Sequence, residues 1–195
     1  MYKRKFLIEG ENYIWIRVPK NGSTTIRIHL NTTTIPYKEK ITNNKNKYVF
    51  IFSRNPFSRL VSCWVNRTKS GKKNYKGTGN WNNPQLLGLS FKEFVKKVGN
   101  IKDSKADHHF RSQTSFIQGL EIDFIGRVEN LNEDLKNICK KLNLECQNKK
   151  KITHYKKSEH QPHRTYYDEE TIKIVYERYK KDFELFGYSE EVSDY

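Results

Sequence analysis

Apolar residues along this chain fall into two kinds of run, one continuous and one helically spaced. Tyr13-Ile14-Trp15-Ile16-Arg17-Val18 and Tyr48-Val49-Phe50-Ile51-Phe52-Ser53 are nearly unbroken, the pattern of strands covered on both faces. The first predicts a buried strand over 13–18 ended by Pro19, the second a central parallel strand over 48–53, and Ile122 to Val128 is a third strand candidate. Residues 23–31 read as a helix with Ser23 as its N-cap. Pro56 suits a first helical turn, and Phe57, Leu60, Val61, Trp64 and Val65 then form one face. A short helix is predicted around 90–98, and Leu131, Leu135, Ile138 and Leu142 mark another. The last helix begins near Asp168, carries Ile172, Val175, Tyr176, Tyr179 and Phe183 on one face, and stops at Gly187. Strands alternating with helices predict a three-layer α/β fold, a central mostly parallel sheet flanked by helices, in a single domain over 1–195. Residues 69–88, rich in Gly, Asn and Lys around Trp81, read as a long surface loop and acceptor-binding insertion. Residues 147–167 read as a basic connection rich in His and Tyr.

Composition sharpens the question of partners. Hydrophobic residues are 35% and charged residues 30%, yet 11 Phe, 12 Tyr and 3 Trp supply core material, which argues against wholesale disorder. A formal charge of +15 calls for an anionic partner: nucleic acid, a membrane surface, an acidic polymer or a phosphorylated cofactor. The three cysteines, Cys63, Cys139 and Cys146, have no metal spacing and are odd in number, so a reducing compartment is the simpler reading. The basic prefix ends at Glu9, too early for a signal peptide. No stretch approaches the ~20 apolar residues of a membrane helix. The expectation is a soluble, cytoplasmic protein.

Candidate chemistry begins between the first strand and helix, at Pro19-Lys20-Asn21-Gly22-Ser23-Thr24-Thr25. A strand-to-helix loop presents backbone N–H groups that suit phosphate, with Lys20 adding charge and Ser23, Thr24 and Thr25 adding hydroxyls. The loop of ordinary nucleoside-triphosphate enzymes places lysine after its last glycine. Here Lys20 precedes Gly22, which disfavours an ATPase or kinase. After the second strand, Arg54 can fork onto a phosphate and Ser62, about two helical turns on, can reach the same group. Arg59 could be a third ligand, with a structural salt bridge the favoured reading, and Trp64 could pack near the purine, with core the favoured reading.

These motifs resemble those of sulfotransferases, in particular the carbohydrate sulfotransferase branch. Residues 19–25 resemble the 5′-phosphosulfate loop, and Arg54-Asn55-Pro56-Phe57-Ser58-Arg59-Leu60-Val61-Ser62 resembles the 3′-phosphate motif R-D-P-x-x-R-x-x-S. Asp123-Phe124-Ile125-Gly126-Arg127-Val128-Glu129-Asn130-Leu131 is similar to the branch's DFIGxYENL segment, and His109-Phe110-Arg111-Ser112-Gln113 to its H-W-x-P-Q element. Asn55, Val128 and Ser112 replace the family's aspartate, tyrosine and proline. The resemblance spans about residue 13 to Tyr188. Golgi members of the branch carry a membrane anchor and disulfides; neither is read in this chain, which resembles the compact soluble relatives.

The resemblance implies a P-loop-like fold and a donor, 3′-phosphoadenylyl sulfate (PAPS), whose sulfuryl group passes to an acceptor. It does not carry over a glycan specificity: glycan, lipid-linked sugar, peptide tyrosine and small alcohol stay open, and the positive charge favours an anionic saccharide. Lys20 would stabilise the leaving 5′-phosphate, Asn21, Gly22, Ser23, Thr24 and Thr25 would hold the phosphosulfate, and Arg54 and Ser62 would grip the 3′-phosphate. His109 is the leading candidate for general base. His108 competes with it, Asp107 can orient either ring, His29 is next, and a glutamate stays open because other branches use one. Glu129 reads as a supporting or capping residue, and Tyr166 and Tyr167 as a cofactor-side loop. His154, His160 and His163 lack carboxylate or thiol companions, so no metal is expected. Two other readings remain: a basic nucleic-acid-binding module, for which no specific motif is visible, and a P-loop-type small-molecule kinase.

Overall fold

The two continuous apolar runs form the middle of a sheet. The computed structural model describes residues 6–31, 47–68, 86, 88–145 and 161–192. Nearly all of the expected loop over 69–88 and most of the connection over 147–167, with Cys146, the Lys149-Lys150-Lys151 tract, His154 and His160, lie outside the described residues. In chain order the elements are β1 (Leu7–Glu9), β2 (Tyr13–Ile16), α1 (Ser23–His29), β3 (Tyr48–Ser53), α2 (Pro56–Thr68), α3 (Phe91–Gly99), β4 (Phe124–Arg127), α4 (Leu131–Leu142) and α5 (Glu169–Phe186). They fall into two compact units, one of Met1–Arg54 with Gln113–Lys157, the other of Asn55–Ser112 with Ser158–Tyr195.

The first unit holds a four-stranded sheet in the order β1-β2-β3-β4. β2, β3 and β4 run parallel, with Ile16 opposite Ile51 and Ser53 opposite Arg127. β1 is an antiparallel edge, Leu7 opposite Ile16, and was not foreseen. Side chains alternate between the faces with the strand period. Tyr13, Trp15, Phe50 and Phe52 pack beneath Ile26 and Leu30 on the α1 side, and Leu131, Leu135, Ile138 and Leu142 of α4. Ile14, Ile16, Val49 and Ile51 face the other way, against Phe116, Ile117, Leu120 and Ile122. Within this unit, helices therefore cover one face and an irregular segment the other. The third strand is shorter than expected because Ile122 turns back onto that second face.

The second unit is helical. Phe57 of α2 sits 5.0 Å from the Phe183 ring of α5 and 5.1 Å from that of Tyr167. Gly99 lets α3 lie close on α5, since a Cβ there would come within 2.5 Å of Ile174. Capping boxes start α3, through Ser90 and Glu93, and α5, through Asp168 and Thr171. Gly187 ends α5 in the left-handed conformation, as the sequence predicts. Thr171, Asp182 and Phe186 complete the buried face of α5, with Ile172 and Tyr176 only half-buried.

One expectation changes here. Cys63 is free and buried in α2, but Cys139 on α4 is disulfide-bonded, so the chain is not the set of reduced thiols that the odd cysteine count favoured. Among the described residues, no helix is long and apolar enough to cross a membrane.

Candidate functional site

Three parallel strands end on the same side of the first unit, and each leads directly into one of the sequence motifs. Pro19 follows β2 and its extension, and the chain turns back with Asn21 N–H on the Val18 carbonyl at 3.3 Å. Lys20 takes φ 71° and Gly22 φ 67°. For glycine that conformation is unstrained; for lysine it costs about 1–2 kcal/mol. The space around Gly22 would admit a Cβ, whose nearest neighbour is Leu131 at 3.5 Å, so the need for glycine is torsional.

The loop is held from several directions. Asn21 is buried, and its Nδ2 donates to the Phe52 carbonyl at 2.7 Å and to Gln113 Oε1 at 2.6 Å. The Arg54 guanidinium donates to the Lys20 carbonyl at 3.1 Å. Ser23 does not cap α1. It is the first helical residue, Gly22 occupies the cap, and the Ser23 hydroxyl donates back to the Val18 carbonyl at 3.0 Å. Lys20, Ser23 and Thr24 keep part of their surface open, whereas Thr25 is buried within α1.

Arg54 follows β3. Its backbone is bracketed by Gln113, which accepts from Arg54 N–H at 3.0 Å and donates to the Arg54 carbonyl at 2.8 Å. Sequence reasoning quoted Gln113 inside a motif but gave it no role; contacts over such separations leave no periodic signal. The third motif, which contains β4, contributes the wall beside Gly22 through Val128 and Leu131. Asp123 exchanges hydrogen bonds with the Val49 backbone at 2.7 and 2.8 Å. Gly126 leaves room for the Phe52 ring, and Glu129 is exposed. Lys20, Asn21, Gly22, Ser23, Thr24, Thr25, Arg54 and Gln113 thus share one unit, at the carboxyl ends of parallel strands, where open α/β sheets bind ligands.

The other motif residues belong to the second unit. Asn55 is buried, and its Oδ1 accepts from the N–H groups of Phe57 and Ser58 at 2.9 and 3.2 Å. It caps α2, work that asparagine and aspartate do about equally well, which accounts for the departure from the family's aspartate. Ser62 is buried at 4% exposure. Arg59 is also buried and donates to the Arg111 carbonyl at 2.8 Å. This bond is to a carbonyl rather than to the carboxylate of a salt bridge. Trp64 is anchored by its Nε1 on the Leu89 carbonyl at 2.9 Å and packs against Phe91 and Tyr166. Tyr167 donates to the Phe57 carbonyl at 2.9 Å, and burial pushes its phenol well above the ordinary range.

Ahead of Gln113, Asp107 starts a tight turn whose carbonyl accepts from Phe110 and Arg111. Its Oδ1 lies 2.8 Å from His109 N and 2.6 Å from His109 Nδ1, while Oδ2 is 3.7 Å from His108 Nδ1. Burial alone would raise the Asp107 pKa, but the His109 hydrogen bonds and the charge of both imidazoles outweigh it and hold the carboxyl at about 2. Asp107, His108 and His109 also each offer a ligand atom within 4.8 Å of the others. Ser112, where the family has proline, uses the N–H proline lacks, donating to Asp103 Oδ1 at 3.1 Å, and its hydroxyl bonds the same carboxylate. His29 is buried within α1, at 2% exposure, which counts against it as a base open to an acceptor.

The depressed Asp107 pKa gives a signed expectation. Its folded value lies below its ordinary 3.8, so its stabilising contribution is full above about pH 4 and fades as pH falls toward 2. Asp107→Asn should therefore lose up to about 2 kcal/mol at neutral pH. Solvent screening should reduce this, since the side chain keeps 19% of its surface open. The deficit relative to wild type should shrink progressively below pH 4. Urea denaturation of both proteins across pH 3–7 checks this; a deficit independent of pH would show that the loss lies in packing and turn geometry.

Comparison with known proteins agrees with these motifs. A model described as "Sulfotransferase family" matches residues 4–189, running through both units. A relative from Archaeoglobus fulgidus, itself described as an uncharacterized protein, is 35% identical over 98 residues, covering 49% of this chain and 68% of the relative. No solved structure matches the chain. With the match spanning the loop at Lys20, the arm at Arg54 and the segment after β4, the chain belongs to the sulfotransferase family.

Proposed function

We propose that this sulfotransferase moves the sulfuryl group of PAPS to an acceptor hydroxyl, with carbohydrate the favoured acceptor class. The observation that carries the reading is the meeting, at one strand edge, of the Lys20 loop and Arg54, hydrogen-bonded directly to each other and through Gln113. Two separate cationic arms on one edge suit a ligand with two phosphate-type groups. PAPS supplies an activated sulfuryl group on its 5′-phosphate and a second phosphate at the 3′ position. In the loop, a left-handed Gly22 leads into the right-handed start of α1, a pairing that turns successive N–H groups toward one concavity. The first α1 bond, Ile26 N–H to the Gly22 carbonyl, leaves the N–H groups of Ser23 and Thr24 outside the intrahelical ladder.

Lys20 stabilises negative charge that grows on the leaving oxygen during in-line transfer. Asn21 and Thr25 support the loop from its buried side. Arg54 takes the 3′-phosphate through its planar fork, and Ser62 is assigned to the same group from the motif resemblance. His109, oriented by Asp107, takes the acceptor proton. The charge of +15 favours an anionic saccharide over a neutral alcohol as acceptor.

Calorimetry with adenosine 3′,5′-bisphosphate and AMP tests the donor. Loss of the 3′-phosphate should cost about 1.5–3 kcal/mol, the range for hydrogen bonds to charged groups. Equal affinity for both nucleotides would remove the assignment of Arg54 and Ser62, and enzymatic ATP hydrolysis would move the reading to a kinase. Transfer of labelled sulfate from PAPS onto a panel of glycans and small alcohols identifies the acceptor class.

A further inference from the structure

Gln113 is wholly buried and joins two segments distant from it in sequence. Its Oε1 accepts from Asn21 Nδ2 at 2.6 Å and from Arg54 N–H at 3.0 Å, and its Nε2 donates to the Arg54 carbonyl at 2.8 Å. The reverse amide orientation would set Nε2 against two donors and Oε1 against a carbonyl, so the network defines the side chain's direction. The two bonds to Arg54 resemble those a neighbouring strand would make, continued one residue beyond the end of β3. The circuit closes when Arg54 donates to the carbonyl of Lys20, the residue before Asn21.

We propose that Gln113 is a positioning residue that holds Arg54 in register with the Lys20 loop, and that it sets the preference for nucleotides carrying a 3′-phosphate. This rests on the donor assignment above. Removing Gln113 acts unequally on the two arms. Asn21 keeps its second bond, to the Phe52 carbonyl at 2.7 Å, so the loop retains an anchor. Arg54 loses both bonds that Gln113 makes to its backbone, and its guanidinium then starts from a loosened Cα. Recognition of the 3′-phosphate should suffer more than recognition of the 5′ end.

Affinities of adenosine 3′,5′-bisphosphate and AMP, measured by calorimetry on the same samples of the full chain, test this. The ratio of the two constants cancels any inactive fraction, so a general loss of folded protein does not move it. Wild type should prefer the bisphosphate by about 10- to 150-fold. Gln113→Met, which keeps the shape without the hydrogen bonds, should lower that ratio at least fivefold while AMP affinity changes little. Gln113→Glu keeps the accepting oxygen but sets a second oxygen against the Arg54 carbonyl, and should lower the ratio likewise. A wild type without preference would overturn the donor assignment and this inference with it. A wild-type preference preserved in both variants would overturn this inference alone. If neither variant folds, Gln113 is a structural residue and the proposal fails.

Discussion

Lys20→Ala should lower the rate of sulfuryl transfer by about a hundred- to a thousandfold, the scale for removing one donor aimed at developing charge. The residue is suited to that task by its placement rather than by charge alone, since the chain carries 37 Lys and Arg in total. It sits in a left-handed conformation at φ 71°, with its carbonyl held by Arg54. That strain has a second consequence. Lys20→Gly removes the torsional penalty, so the glycine variant should be the more stable of the two by about 1–2 kcal/mol, yet equally impaired in transfer. A more stable but inactive protein would identify strain kept for function. Lys20→Arg should recover only part of the rate, because a planar fork does not reproduce a compact ammonium. Single-turnover transfer of labelled sulfate, paired with thermal denaturation, separates these effects. A Lys20→Ala rate within tenfold of wild type would mean that the leaving group is stabilised elsewhere.

Much of the scaffold was legible because it depends on local pattern. The apolar run over 48–53 coincides with β3, and Gly187 ends α5 as expected. The unread parts are those decided by partners distant in sequence or by the backbone conformation of a turn. β1 has three residues, too short for alternation to register, and exists by pairing antiparallel with β2. Ser23 looked like an N-cap because serine caps well; the neighbouring Gly22 takes that place in the left-handed conformation, and the hydroxyl turns to Val18. His29 resembles an accessible helix residue in sequence, and its burial appears only once α1 is folded. Among the candidate site residues, the same division holds. The resemblance singled out Lys20 and Arg54, but the bond between them and the bridge through Gln113 belong to the fold.

His109→Ala should reduce kcat by about a hundredfold or more, the lower end of what a positioned general base contributes, with affinity for adenosine 3′,5′-bisphosphate nearly unchanged. The expectation starts from Asp107, whose carboxylate takes both the backbone N–H and the Nδ1 side of His109. With the proton held on Nδ1, Nε2 becomes the basic nitrogen. The His108 ring lies tilted against the His109 ring, 4.1 Å between centroids, but reaches the carboxylate only at 3.7 Å, so His108→Ala should be much milder. Asp107→Asn should fall between the two, because an amide can still turn an oxygen to the ring but no longer stabilises the imidazolium formed in the reaction. The order wild type, His108→Ala, Asp107→Asn, His109→Ala in kcat, at constant nucleotide affinity, is what separates a base and its orienting carboxylate from a structural turn. If both histidine variants turn over normally on the true acceptor, the proton goes to another group; the burial of His29 then directs the search to a carboxylate. If His109→Ala instead abolishes nucleotide binding or unfolds the protein, the Asp107–His109 bond is part of the turn that holds the second unit together, and its chemistry ends there.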